Sequence, residues 1–192
     1  NILAENNNYD PYLRHAATMA LISCAGADVI AALHSNESPA IRLAAVVALR
    51  RLNDDRVVNF LTDSDGKVAD EVIRAIHDTS MENVRPALTA LLDDYATDGP
   101  GRKLTRMMLR RLIYSGYRIG GEKNMARLIK IASNEKLDKN ERLDVLRLLS
   151  IWDKPHVVDQ SLGKHNPLPA RDAAATKAAL AANIAPLLGD DS

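Results

Sequence analysis

The side chains of this chain best suited to chemistry are its cations. Arg102, Arg106 and Arg110 recur every four residues, so a helix through them carries all three on one face, with Lys103 adjoining. Arg118, Lys123, Arg127 and Lys130 follow closely, and Tyr114 and Tyr117 lie among them. Guanidinium groups interleaved with aromatic rings suit a carboxylate, a phosphate or the stacked bases of a nucleic acid. Arg102, Lys103, Arg106, Arg110, Tyr117 and Arg118 are therefore the candidate anion- or partner-binding surface, and a basic helix face in water is the plainer alternative. Arg14 and Arg42 are of another kind. Each stands near a helix start, 28 residues apart, where a planar five-donor group suits a ladder of bonds between successive repeats.

Other constellations are weaker. His15 and Met19 lie four apart on one helical face, whereas two axial haem ligands must approach the iron from opposite sides. His34, His77, His156 and His165 lack ligand spacing. Asp63-Ser64-Asp65-Gly66 opens like a calcium loop, but position twelve is Arg74 instead of Glu, so a capped turn is expected. Gly99-Pro100-Gly101-Arg102-Lys103 lacks the spacing of a phosphate loop, and Gly120-Gly121 reads as a helix end. The single cysteine, Cys24, excludes an internal disulfide framework and is expected in the core. No serine, histidine and aspartate arrangement for nucleophilic catalysis can be argued, so the chain is read as a non-enzyme.

The elements that would position these groups are helices. Apolar residues make up 46% of the chain and aromatics only 4%, so a core of Leu, Ala, Ile and Val is expected, and no convincing strand is found. Ile41, Ala44, Ala45, Ala48, Leu49 and Leu52 form one helical stripe. Moved back by 28 residues, the stripe becomes Leu13, Ala16, Ala17, Ala20, Leu21 and Cys24, again all apolar. Pro39 maps to Pro11, and each follows an N-cap residue, Ser38 or Asp10. Second helices obey the same shift, with Val29, Ile30 and Leu33 becoming Val57, Val58 and Leu61. A third unit holds Val68, Val72, Ala75 and Ile76, with Glu71 and Thr79 where apolar residues are expected. Leu104, Met107, Met108, Arg111 and Leu112, then Met125, Leu128, Ile129 and Ala132, then Leu143, Leu146, Leu149 and Trp152 continue less regularly.

Helix pairs this short cannot bury their stripes alone, and stacking them gives a solenoid. The expected fold is all-α, a HEAT-like α–α superhelix. Residues 1–9 are expected to be a disordered or leader segment, 10–153 about five helix pairs, 154–170 a proline-containing extended linker, and 171–188 a capping helix.

Asp10-Pro11-Tyr12-Leu13-Arg14-His15-Ala16, Ser38-Pro39-Ala40-Ile41-Arg42-Leu43-Ala44-Ala45 and Glu71-Val72-Ile73-Arg74-Ala75-Ile76-His77-Asp78 resemble the HEAT-repeat segment of a bacterial family. These are the large membrane-bound dehydrogenase domain or c-type haem-binding-domain proteins of the planctomycete and verrucomicrobial kind. Ser115-Gly116-Tyr117-Arg118-Ile119-Gly120, Leu146-Arg147-Leu148-Leu149-Ser150-Ile151-Trp152 and the later Pro155, Gly163, Pro167-Leu168 and Arg171-Asp172 continue the likeness, from about residue 10 to 188. The resemblance implies a spacer between a sugar-dehydrogenase-like β-propeller and a cytochrome c domain, in an exported or periplasmic redox protein. Its partners would be those domains or another protein. No Cys-x-x-Cys-His occurs, so no cofactor is expected on these residues and haem belongs to a separate domain.

Charge bears on the alternative. Residues 1–98 carry 8 basic and 15 acidic side chains, 99–130 carry 9 and 1, and 131–192 carry 8 and 9, giving zero net charge. A basic segment within an acidic array suits docking to an acidic domain or a neighbouring molecule. A nucleic-acid-binding domain similar to the HEAT-like alkylpurine DNA glycosylases is the rival reading, and the acidic half opposes it. No apolar run is long enough to insert into a membrane. The opening Asn1-Ile2-Leu3-Ala4 is the start expected of a mature protein or of a piece of a longer one.

Overall fold

The computed structural model describes residues 1–79, 81–96 and 104–185, and among these the chain is mostly helical. It divides into two compact units, Asn1–Arg85 and Pro86–Ser192.

The first unit contains α1 (Ile2–Asn6), α2 (Pro11–Cys24), α3 (Ala27–Ala32), α4 (Pro39–Leu52) and α5 (Gly66–Asp78). Single 3-10 segments, Leu33–Ser35 and Asp55–Phe60, complete the short second members of the pairs. The long helices start where side chains or proline meet the free amides of the first turn. Asp10 accepts from Tyr12 and Leu13 N–H, Asp65 accepts from Lys67 and Val68 N–H, and Pro39 heads α4. α4 stops at Asn53, whose left-handed backbone (φ 52°) turns the chain. Its stripe is the core of the unit: Ile41, Ala44, Ala45, Ala48 and Leu49 are each at most 6% exposed. α5 adds Val68, Val72, Ile73, Ala75 and Ile76, all fully buried.

Two expectations need correction in this unit. Residues 1–9, expected to be disordered or a leader, contain helix α1, and its Leu3 packs with Ile41 and Ala44. The α2 stripe has the spacing of α4 but not its burial. Leu13 is 43% exposed, Ala16 and Ala20 are exposed, and so is Cys24, which was expected in the core. The cause is packing: α4 lies against α1, α2, α3, α5 and both 3-10 segments, whereas α2 packs mainly on α1 and α4. Glu71, at a position of the apolar stripe as read from the sequence, is buried there with Arg50 Nη1 (2.7 Å) and Arg74 Nη1 (2.6 Å) donating to its two carboxylate oxygens.

The second unit contains α6, which starts at the boundary (Arg85–Ala90), then α7 (Leu92–Ala96), α8 (Arg106–Ile119), α9 (Gly121–Ser133), α10 (Lys139–Ser150) and α11 (Ala173–Asn183). Leu92, Leu112, Ile113, Met125, Leu128, Ile129, Val145 and Trp152 form its core. α10 is rotated by about one position from expectation. Leu143 and Leu146 are 37% and 39% exposed, while Val145 and Leu148 point inward with Leu149 and Trp152.

The segment read as an extended linker folds into an antiparallel hairpin, β1 (Val158–Asp159) with β2 (Lys164–His165), contrary to the expectation of no strand. Asp159 organises its turn by accepting from Ser161 N–H (2.9 Å) and Leu162 N–H (3.2 Å), and Gly163 supplies the positive φ of 65° that closes it. Within the segment 171–188, expected to be a capping helix, α11 covers Ala173–Asn183, and residues 186–188 lie outside the described residues.

Candidate functional site: cations spent and cations open

The basic face of α8 is largely occupied by the chain itself. Arg110 Nη2 donates to the Gln160 carbonyl (3.0 Å), and the Tyr114 hydroxyl meets the Gln160 side-chain oxygen (3.4 Å). Arg118 Nη2 donates to Asn166 Oδ1 (3.0 Å). Tyr117 is 6% exposed, and its hydroxyl donates to the Ile151 carbonyl (3.2 Å). Of the six candidate surface residues, Arg110 and Arg118 are half-buried and bonded to the hairpin segment, and Tyr117 is buried and bonded to the end of α10. Arg106 remains exposed, and Arg102 and Lys103 lie outside the described residues. Arg127, further along the basic stretch, is 7% exposed and makes a bidentate pair with Asp93 (2.8 and 2.5 Å), which holds that carboxyl below its ordinary range.

The same region contains a residue whose role spacing did not reveal. The Arg171 guanidinium lies 4.5 Å from the Trp152 ring centroid and 4.9 Å from that of Tyr117, and the two rings meet edge-on. Its Nη1 donates to the Trp152 carbonyl (2.9 Å) and its Nη2 to the Tyr117 carbonyl. Burial pushes its pKa down, an effect the neighbouring Tyr117 opposes. Gly120 makes room for it: a Cβ there would come within 2.9 Å of Arg171 Nε, on a backbone already at φ 72°. The sequence signal was faint, a lone arginine after three prolines facing two aromatics far back in the chain.

Arg14 and Arg42, paired by the repeat, part company. Arg42 is 8% exposed and forms a fork with both oxygens of Asp63 (2.7 and 2.9 Å), while Nη1 donates to the Asn36 and Glu37 carbonyls (2.7 and 3.0 Å). Burial raises the Asp63 pKa, but Arg42 and the Asp65 amide outweigh this and leave it below the ordinary value. The position 28 residues before Asp63 is Ser35, so Arg14 has no corresponding carboxylate. Among the described residues its side chain has no hydrogen-bonded or ion-paired partner.

Two other side-chain pairs are joined within the first unit. Arg56 donates to Asp28, and Asn83 Nδ2 donates to Asp55 (2.9 Å), each bond spanning 28 residues. Asp63-Ser64-Asp65-Gly66 forms a capped turn, as expected: Asp63 and Asp65 accept from main-chain amides. No group of three or more His, Cys, Asp or Glu side chains that could hold a metal ion occurs among the described residues. No helix among them is long and apolar enough to cross a membrane.

The open counterpart lies in the first unit. A groove of about 450 Å³ crosses α2, α4 and α5, lined by Arg14, His15, Thr18 and Met19, then Leu43, Ala44, Val47 and Arg51, then Lys67, Asp70, Glu71 and Arg74. Arg14, Arg51 and the Lys67 ammonium all lack a partner among the described residues. Comparison with family models, curated proteins and solved structures finds no match to this chain.

Proposed function

We propose that the chain is a non-catalytic HEAT-like scaffold, a superhelix of short helix pairs that holds other protein domains. The observation that carries this reading is the pair of side-chain bonds each spanning one repeat, Asp28–Arg56 and Asp55–Asn83. Bonds between equivalent positions of neighbouring units are what a stack of repeats requires, since each unit is stabilised by its neighbours. With the family resemblance, this supports a spacer between a sugar-dehydrogenase-like propeller and a cytochrome c domain of an exported redox protein, with haem carried by the cytochrome domain.

The experiment is to read the gene around the chain and to purify the chain alone. The expected frame encodes propeller strands before it and Cys-x-x-Cys-His after it, and the isolated chain as purified shows no Soret band. A frame with neither feature, or a Soret band from the isolated chain, contradicts the proposal. Against the nucleic-acid reading stands the engagement of Arg110 and Arg118 with Gln160 and Asn166.

A further inference from the structure

The groove across α2, α4 and α5 is built from equivalent positions of three repeats. His15, Leu43 and Asp70 form one row, and Met19, Val47 and Arg74 the next, at steps of 28 and 27 residues. Within each row the chemistry differs from helix to helix, so core packing does not dictate it. The floor is apolar, with half-buried Met19, Leu43 and Val47 beside buried Ala44. Around it stand three cations with no partner among the described residues, Arg14, Arg51 and Lys67. Arg74 is already engaged by Glu71.

We propose that this groove binds an extended acidic peptide segment of a partner protein, its carboxylates meeting Arg14, Arg51 and Lys67 and an apolar side chain resting on Met19, Leu43 and Val47. The proposal rests on the scaffold reading and names the chemistry of one partner. Guanidinium groups prefer planar carboxylates or phosphates, which they bind through paired hydrogen bonds. One feature favours a peptide over a nucleic-acid backbone. The floor offers alkyl carbon where a nucleotide strand would need more cations or stacking rings. Packed helix axes lie about 8–10 Å apart. A strand rising about 3.3 Å per residue therefore crosses the three helices in about six residues.

The test is fluorescence anisotropy of the whole chain with a labelled peptide of alternating aspartate and leucine, about six residues long. A lysine–leucine peptide and a short single-stranded DNA serve as comparators. The expected result is saturable binding of the acidic peptide alone, weakened about tenfold by Arg14→Gln or Arg51→Gln and weakened by added salt. Both arginines lack partners to lose, and circular dichroism of each variant confirms that its helices remain. Tighter binding of the DNA, or acidic-peptide binding unchanged in the Arg14→Gln, Arg51→Gln double variant, would overturn the proposal. Absence of binding by a chain with intact helical dichroism would also overturn it. That last result leaves the scaffold reading standing, because a spacer can hold its domains through other faces.

Discussion

The two units use the same side chain in opposite ways. In the second, Arg110, Arg118 and Arg127 of the basic stretch and the later Arg171 are engaged by the chain itself, while Arg106, Lys123 and Lys130 are exposed. Arg110 and Arg118 hold the hairpin, Arg127 clasps Asp93, and Arg171 sits against Trp152 and Tyr117. In the first unit, richer in acid, Arg42 is buried in a fork while Arg14, Arg51 and Lys67 line a groove without partners among the described residues. Clustered charge in a sequence thus does not locate an open surface. A cation is open when no acceptor faces it, and Ser35 in place of an aspartate leaves Arg14 in that state.

The largest effect that sharpens this contrast is expected at Arg42. Arg42→Met leaves the Asp63 carboxylate, whose side chain is 4% exposed, without its counter-ion, at a cost of about 3–5 kcal/mol. Arg14→Gln, at the matching repeat position, should change stability by less than about 0.5 kcal/mol. Urea denaturation followed by circular dichroism measures both, and equal losses would erase the distinction.

Arg171→Ala should destabilise the second unit by about 2–4 kcal/mol, through the loss of two ring contacts and two hydrogen bonds from a charged donor. Arg171→Lys should recover only part of this, because an ammonium cannot lie flat between rings and reach two carbonyls. The sole tryptophan is Trp152, so its fluorescence follows the second unit while circular dichroism follows both. An early fluorescence transition with the first unit unchanged is the expected signature.

Acid should weaken both units. Asp63 and Asp93 are held below their ordinary pKa values in the folded chain. Groups depressed in this way contribute stability above the unfolded carboxylate pKa of about 4, and that contribution is lost as pH falls through the folded values. Denaturation midpoints should therefore be flat from neutral pH to about 5 and drop below about 4. Asp63→Asn should flatten the fall of the first unit, and Asp93→Asn that of the second.

The smallest effect belongs to the Asp55–Asn83 pair. Asn83→Ala removes one exposed bond to Asp55 and should cost no more than about 1 kcal/mol. Its value lies in locating cooperativity, read as a shift of the first unit's transition alone.

Helix positions were legible wherever apolar spacing met a cap: Asp10 with Pro11, Pro39 heading α4, and Asp65 before α5 all mark true starts. Burial was less legible, because it depends on neighbours. The stripes of α2 and α4 read alike, yet only α4 is surrounded. α10 offered two overlapping leucine stripes, and the one through Val145 and Leu148 faces inward. The hairpin was missed because two-residue strands carry too little alternation to register, and its stability comes from Asp159 and from arginines far away in sequence. The groove escaped a search for apolar stripes, since its rows mix His, Leu and Asp, then Met, Val and Arg. The Asp28–Arg56 and Asp55–Asn83 pairs were readable in principle: Asp28 and Asp55 each have a donor 28 residues on.

The most direct test of open against spent cations is arginine modification with phenylglyoxal, followed residue by residue by mass spectrometry on the folded chain. Arg14 and Arg51 should react at rates near those of the urea-unfolded chain, while Arg42, Arg127 and Arg171 should be strongly protected. Reaction of Arg42 or Arg171 as fast as Arg14, or protection of Arg14 and Arg51, would contradict the account.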